Sequence, residues 1–253
     1  MKILAKKLVA ASVLTMTMSA SAFAAVYDEV ERSFEVGSDA KFALENINGS
    51  VEINAWSQDT IKVLAKLKAK NQEHLDRITV EMNQTGNGVT VETKHQKNSW
   101  SNNNSGQVSY EVMVPATVDL SRVSLVNGSL VIKDVTGDVK AELVNGSIKA
   151  SGLAGDGEFS SVNGSVTVSY SEIAADISDI ELETVNGSVK LLVPDSINAR
   201  VDAETMHGGL KNEFGLAVEK GIFSGKSMNG TIGNGDIKIT LESVNGSVRL
   251  MKN

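Results

Sequence analysis

The chain has no cysteine. That excludes disulfides, thiolate metal sites and an acylated cysteine as a lipid anchor. It has only two prolines and six phenylalanines among many Val, Ile, Gly, Asn and Ser, a mixture suited to β-structure with many turns and small side chains. Basic residues are outnumbered, 24 Lys and Arg against 31 Asp and Glu, for a formal net charge of −7. That balance argues against general nucleic-acid binding. Beyond the N-terminus no long apolar run exists, so no membrane span is expected.

The first 24 residues read as a signal peptide. Lys2, Lys6 and Lys7 form a basic start, Leu8 to Met18 is an uncharged apolar run, and Ala22-Phe23-Ala24 supplies the small-x-small pattern for cleavage. The run is too short to span a bilayer as a mature helix. The expected cut follows Ala24. Removing those three lysines takes the formal charge from −7 to −10. The expected compartment is the periplasm of a Gram-negative cell, or the exterior.

What the sequence has in quantity is a repeat. With the Asn of each NG at position zero, there are eight matches: Asn48, Asn127, Asn145, Asn163, Asn186, His207 (a degenerate HGG), Asn229 and Asn245. Each is followed by a glycine: Gly49, Gly128, Gly146, Gly164, Gly187, Gly208, Gly230 and Gly246. Position −1 is apolar in all eight copies, as is position +3, whereas position −3 is never apolar and is mostly Glu. Position +4 carries Lys149, Lys190, Lys211 and Arg249. This is period-2 alternation, so the elements are strands.

Two architectures compete. In an antiparallel hairpin meander, NG is a type I′ turn, and positions −3 and +4 face each other, pairing Glu142 with Lys149, Glu183 with Lys190, Glu204 with Lys211, and Glu242 with Arg249. That arrangement turns the apolar −1 column to solvent and needs about sixteen strands in one sheet. In a β-solenoid the strand runs through the motif. Positions −1, +1, +3 and +5 point inward, and Asn and Ser stack outward from coil to coil. Stacked Glu at −3 counts against it. The expectation is all-β: a β-solenoid-like stack of about eight coils.

Residues 57–117 break the period. Residues 61–70 alternate as a strand with a basic face, 71–78 suit a short helical turn, 78–96 read as a hairpin around Thr85–Gly88, 98–107 as a polar loop, and Val108–Val114 as a strand closed by Pro115. The expected organisation is a signal peptide at 1–24, a first coil at 25–56, an inserted small sheet capping the stack at 57–117, and the tandem solenoid at 118–253. At the C-terminus, charge from Arg249 and Lys252 is expected to blunt an open edge.

The early ENINGSVEI, the inserted strands ending in VSYEVMVP, and the tandem VNGSV blocks with TGDVKA between them resemble the bacterial β-strand-repeat family of unknown function described as putative adhesins. The likeness covers nearly all of residues 28–251. It implies a β-solenoid-like fold and an envelope location. The HGG and MNGT copies depart from the pattern near residues 205–235.

Candidate chemistry is sparse. His74, His95 and His207 lack partners at metal-ligand spacing, and no GxSxG elbow occurs. GDG at 155–157 and GNGD at 233–236 read as turns, because they lack the full calcium-repeat run. No catalytic residue, metal or cofactor is expected. Lys62, Lys66, Lys68 and Lys70 form a basic stripe, either a solvated strand face or a contact for anionic envelope polymer. The function expected is a non-catalytic exported envelope protein, adhesin-like, binding or scaffolding polymer or protein partners. The alternatives are a polysaccharide-cleaving β-helix enzyme, which needs clustered Asp/Glu with Arg or Lys on adjacent coils, and an envelope-stress accessory protein.

Overall fold

The computed structural model describes residues 25–96, 106–221 and 225–253. The expected signal peptide and most of the polar loop at 98–107 lie outside them. The chain order is β1 (Val26–Glu35), β2 (Lys41–Asn48), β3 (Val51–Trp56), β4 (Thr60–Ala69), α1 (Gln72–Leu75), β5 (Ile78–Thr85), β6 (Gly88–His95), β7 (Gly106–Pro115), β8 (Asp119–Asn127) and β9 (Leu130–Lys133). Then follow β10 (Val139–Asn145), β11 (Ile148–Leu153), β12 (Gly157–Asn163), β13 (Val166–Tyr170), β14 (Asp179–Asn186) and β15 (Val189–Val193). The last are β16 (Ala199–His207), β17 (Leu210–Asn212), β18 (Glu219–Lys220), β19 (Lys226–Ile232), β20 (Ile237–Asn245) and β21 (Val248–Lys252).

Two long sheets face each other. The seven strands that end at a motif Asn or at His207 lie, with β5, β6, β18 and β19, in an entry sheet of eleven strands, in the order β18-β19-β16-β20-β14-β12-β10-β8-β2-β6-β5. The seven strands that begin three residues later lie, with β1, β4 and β7, in an exit sheet of ten, in the order β1-β4-β7-β3-β9-β11-β13-β15-β21-β17. Equivalent strands of neighbouring coils pair in parallel and in register, as in Asn145 beside Asn163 and Ile148 beside Val166. This is the solenoid. Glu142 and Lys149 lie in different sheets, and Glu142 instead approaches Arg122 at 4.0 Å and Lys140 at 3.9 Å.

The strand does not run through the motif; it breaks at Gly-Ser and changes sheet. The Gly N–H donates to the Asn carbonyl of the next coil, as from Gly146 to Asn163 at 2.9 Å. Only glycine fits there. Gly146 has φ +141°, and a Cβ would sit 1.6 Å from the carbonyl oxygen of Gly128. The Asn side chains form a ladder, each Nδ2 donating to the Oδ1 of the neighbouring coil at 2.9 Å from Asn245 through Asn186, Asn163, Asn145 and Asn127 to Asn48.

The inward positions are −4 and −2 before the corner, and +3 and +5 after it. Phe42, Phe159, Ile53, Ile132, Leu182 and Leu241 fill the space between the sheets. Later coils carry a hydroxyl at −2. Ser161, Thr184, Ser243 and Thr205 each donate to a corner Gly carbonyl of the neighbouring coil, at 2.8–3.2 Å. Position −1 faces solvent, contrary to the sequence reading: the expected inward column Val126, Val144, Val162, Val185, Val244 and Met206 is 37–54% exposed.

Three further expectations are corrected. Asn229 and Gly230 mark no corner; they lie inside β19, antiparallel to β16. The coils do not stack in sequence order, because β20 and β21 insert between the coil of β14–β15 and that of β16–β17. The C-terminal residues therefore sit inside the stack, and the exposed edge is made by β17 and the β18–β19 pair. The insertion is not a separate small sheet. The β5–β6 hairpin extends the entry sheet, β4 and β7 extend the exit sheet, and β6–β7 form a coil beside β2–β3. The short helix α1 is present, and Thr85 pairs with Gly88 across a hairpin turn.

Candidate functional surfaces

Because the coils are in register, each outward position becomes a column repeating at about 4.8 Å. On the entry sheet the −1 column is a line of Val and Met crossing six strands, about 24 Å long by that spacing. Beside it, the −3 column places Glu183, Glu242 and Glu204 on adjacent strands. These columns and β19 border an open groove of about 540 Å³, lined by Val162, Val185, Val244, Met206, the three glutamates and Lys226. Lys226 donates to the Gly208 carbonyl at 2.9 Å. Partial burial, then Glu181 beside it, raises the Glu183 carboxyl above the usual range. Partial burial, then Glu204, does the same for Glu242.

Further along the entry strands an aspartate column fastens coil to coil. The Asp138 amide donates to Asp119 at 3.2 Å, the Asp156 amide to Asp138 at 3.0 Å, and the Ser178 and Asp179 amides to Asp156 at 2.7 and 3.0 Å. Burial raises the Asp138 and Asp179 carboxyls. For Asp156 burial pulls the same way, but the Ser178 and Asp179 amides outweigh it and the carboxyl is lowered. The GDG segment at 155–157 therefore serves as a coil connection. Among the described residues, no group of three His, Cys, Asp or Glu is arranged to hold a metal ion.

The motif Asn and Gly residues at 48–49, 127–128, 145–146, 163–164, 186–187, 207–208 (His-Gly) and 245–246 line one corner of the stack. Lys62, Lys66 and Lys68 of the lysine stripe lie on β4, between β1 and β7, and Lys70 lies just past its end. Lys62 pairs with Glu31 at 3.0 Å, Lys66 pairs with Glu111, and Lys68 sits over the Tyr27 ring, 5.6 Å from its centroid. His74 lies in α1, His95 ends β6 and His207 sits at a corner, so the three occupy different parts of the fold. Desolvation lowers the half-buried His95 imidazole. Sequence reasoning foresaw stacked Glu at −3 in a solenoid but missed the exposed −1 column and the place of Glu242 between Glu183 and Glu204. The apolar letters at −1 were visible; their direction was not.

No helix among the described residues is long and apolar enough to cross a membrane. No curated protein matches the chain. A crystal structure titled a putative cell adhesion protein, from Clostridium sporogenes, aligns over 90% of this chain and 100% of its own, with 14% identity and a TM-score of 0.51. A putative adhesin from Bacteroides fragilis covers 88% of this chain and 97% of its own, at 10% identity and a TM-score of 0.38. A putative lipid binding protein from Parabacteroides distasonis covers 87% and 96%, at 10% identity and a TM-score of 0.34. The first likeness supports the fold. Residues 138–251 match the family model Toastrack DUF4097. Over residues 138–251, from β10 to β21, the chain is thus similar to the Toastrack DUF4097 family, in keeping with the resemblance of its VNGSV blocks to the putative-adhesin family of unknown function.

Proposed function

We propose that the chain is an exported, non-catalytic module of the bacterial envelope that holds a polymer or protein partner along its side. The observation that carries this reading is the −1 column, which leaves Val126, Val144, Val162, Val185, Val244 and Met206 exposed in a line. A contiguous exposed apolar line rimmed by polar columns is the surface of a binding element. A stack of coils offers such a surface laterally and repeatedly. Export rests on the N-terminal pattern ending at Ala24, and the mature protein is expected to begin at Ala25.

The test is in-cell crosslinking of the full-length chain, with intact-mass measurement of the exported product. Wild type should recover a discrete envelope partner, and replacing Val126, Val144 and Val162 by Thr should reduce that recovery without lowering thermal stability. A full-length mass, or recovery unchanged by the triple variant, would overturn the corresponding part of the reading.

One observation favours the enzymatic alternative: the groove brings together Glu183, Glu242 and Glu204, two of them with raised carboxyl pKa. Paired carboxylates of this kind are the equipment of glycoside hydrolysis. Shortening of envelope polysaccharide by purified protein, abolished in Glu242→Gln, would establish that reading over the first.

A further inference from the structure

The C-terminal half of the exit sheet presents a different face. Position +4 places Lys149 on β11, Thr167 on β13, Lys190 on β15, Arg249 on β21 and Lys211 on β17. These strands are consecutive neighbours, and the five residues are direct register partners: Lys149 beside Thr167, Thr167 beside Lys190, Lys190 beside Arg249, and Arg249 beside Lys211. At the strand spacing the row is about 19 Å long. In sequence order Arg249 follows Lys211; only the inserted coil brings it between Lys190 and Lys211.

Lys62, Lys66, Lys133, Lys140 and Lys252 each have a carboxylate within ion-pair distance. Among the described residues, Lys149, Lys190, Lys211 and Arg249 make no ion pair, although the chain carries an excess of acid. Other cations, Arg32, Lys41, Arg200 and Lys220 among them, also lack an ion pair among the described residues; this row is set apart by its length, since its cations recur as register partners across five strands. The stretches outside the description, 1–24, 97–105 and 222–224, contain no Asp or Glu to pair with them. Like charges directly opposite on neighbouring strands destabilise a sheet. The acidic stack Glu183–Glu242–Glu204 projects from the other sheet, so it cannot neutralise the row. Beside the row runs the serine column of the corners, where the Ser247 and Ser188 hydroxyls lie 3.0 Å apart.

We propose that this row binds a linear polyanion, a polymer with a phosphate or carboxylate on each repeat, laid across the strands along the stack. The proposal rests on the reading of the chain as a lateral binding module and names its ligand class. A row one residue wide and about 19 Å long by the strand spacing matches a chain of charges better than a single ion, which spans two rungs at most. A bilayer surface asks for a plane of cations with protruding apolar side chains, whereas the flanking Ser and Thr are short and Leu192 and Met251 are half-buried.

The experiment uses the full chain and four probes: long-chain inorganic polyphosphate, polygalacturonate, orthophosphate, and vesicles of phosphatidylglycerol and phosphatidylcholine. The expected result is binding to one or both polymers that weakens with salt, and at least tenfold loss in the triple variant Lys190→Gln, Arg249→Gln, Lys211→Gln. The slope of log Kd against log salt should fall by about one per cation removed. Lys62→Gln with Lys66→Gln should bind as wild type does, because those lysines are already paired. A second variant, Lys149→Gln with Lys211→Gln, removes only the ends and should lose binding by a smaller factor while melting as wild type does. Polymer binding unchanged in both variants would overturn the proposal. So would competition by orthophosphate at equal phosphate concentration, or binding to vesicles without binding to polymer. If no polymer binds while the crosslinked envelope partner persists, the row fails and the module reading stands.

Discussion

A single methyl group at Gly146 would meet the Gly128 carbonyl at 1.6 Å, in a backbone conformation that side chains resist. Gly146→Ala should cost about 3 kcal/mol or more, since neither corner can move without breaking its own hydrogen bonds. A Cβ on Gly209 would meet nothing within 4 Å, and the residue sits where other coils carry Ser, so Gly209→Ser should stay within about 0.5 kcal/mol of wild type. Urea titration of the two variants checks both. A second contrast concerns neighbours on β10. Leu143→Ala empties a buried site and should cost about 2–5 kcal/mol, whereas Val144→Thr changes an exposed one and should be near neutral. The sequence reading implied the reverse. It carried period-2 alternation straight through the motif, but positions −1 and 0 both project outward before the chain turns. The inward set is −4, −2, +3 and +5, with an interval of five across the corner. Parity was legible within each strand; the phase slip at the corner was not.

At the scale of the element, the asparagine ladder ends where His207 replaces Asn beside Asn245. His207→Asn should add one Nδ2 to Oδ1 bond and stabilise by about 0.5–1 kcal/mol, measured by thermal melting. The ladder itself was legible, because Asn and Ser at fixed positions stack in any in-register solenoid. Its neighbour, the glutamate stack, carries a pH dependence. Glu183 and Glu242 have carboxyl pKa values raised in the fold by burial and by neighbouring acids. Between the ordinary glutamate pKa and the raised one, the folded chain binds more protons than the unfolded chain. Stability must therefore fall as pH rises through that window, and be recovered on mild acidification. Glu52 and Asp156 are lowered and act oppositely, losing their contribution as pH falls through their folded values. A stability maximum in the mildly acidic range is expected. Glu242→Gln should flatten the decline toward neutral pH and stabilise there by about 0.5 kcal/mol, less in high salt. A melting profile between pH 4 and 8 tests this; an unchanged slope in the variant would remove the stack as its cause.

For the whole molecule, seven of the eight coils and their parallel pairing followed from the repeat, but the motif-less coil of β6–β7 and the order of coils did not. Spacing tells how long each coil is and says nothing about which coil it lies against. The departures at His207 and Asn229 were the visible sign: one is an imperfect corner at the edge, the other no corner at all. Deleting residues 237–253 removes the strands on which both β16 and β17 depend. Residues 199–212 should then lose hydrogen-exchange protection while 119–170 keep theirs. Protection retained at 199–212 would mean that this coil can dock directly on β14 and β15.

The inserted coil has one more effect, on timing. Arg249 stands in the middle of the basic row, and Glu242 in the middle of the acidic stack; both arrive with β20 and β21. A chain emerging from its N-terminus makes the Ala199–Asn212 coil before the segment that slots in beneath it has been delivered. Neither charged surface is complete on an unfinished molecule. Competence to engage a ligand there doubles as a check that synthesis and folding are complete, and a partner that recognises the full row would pass over every truncated copy.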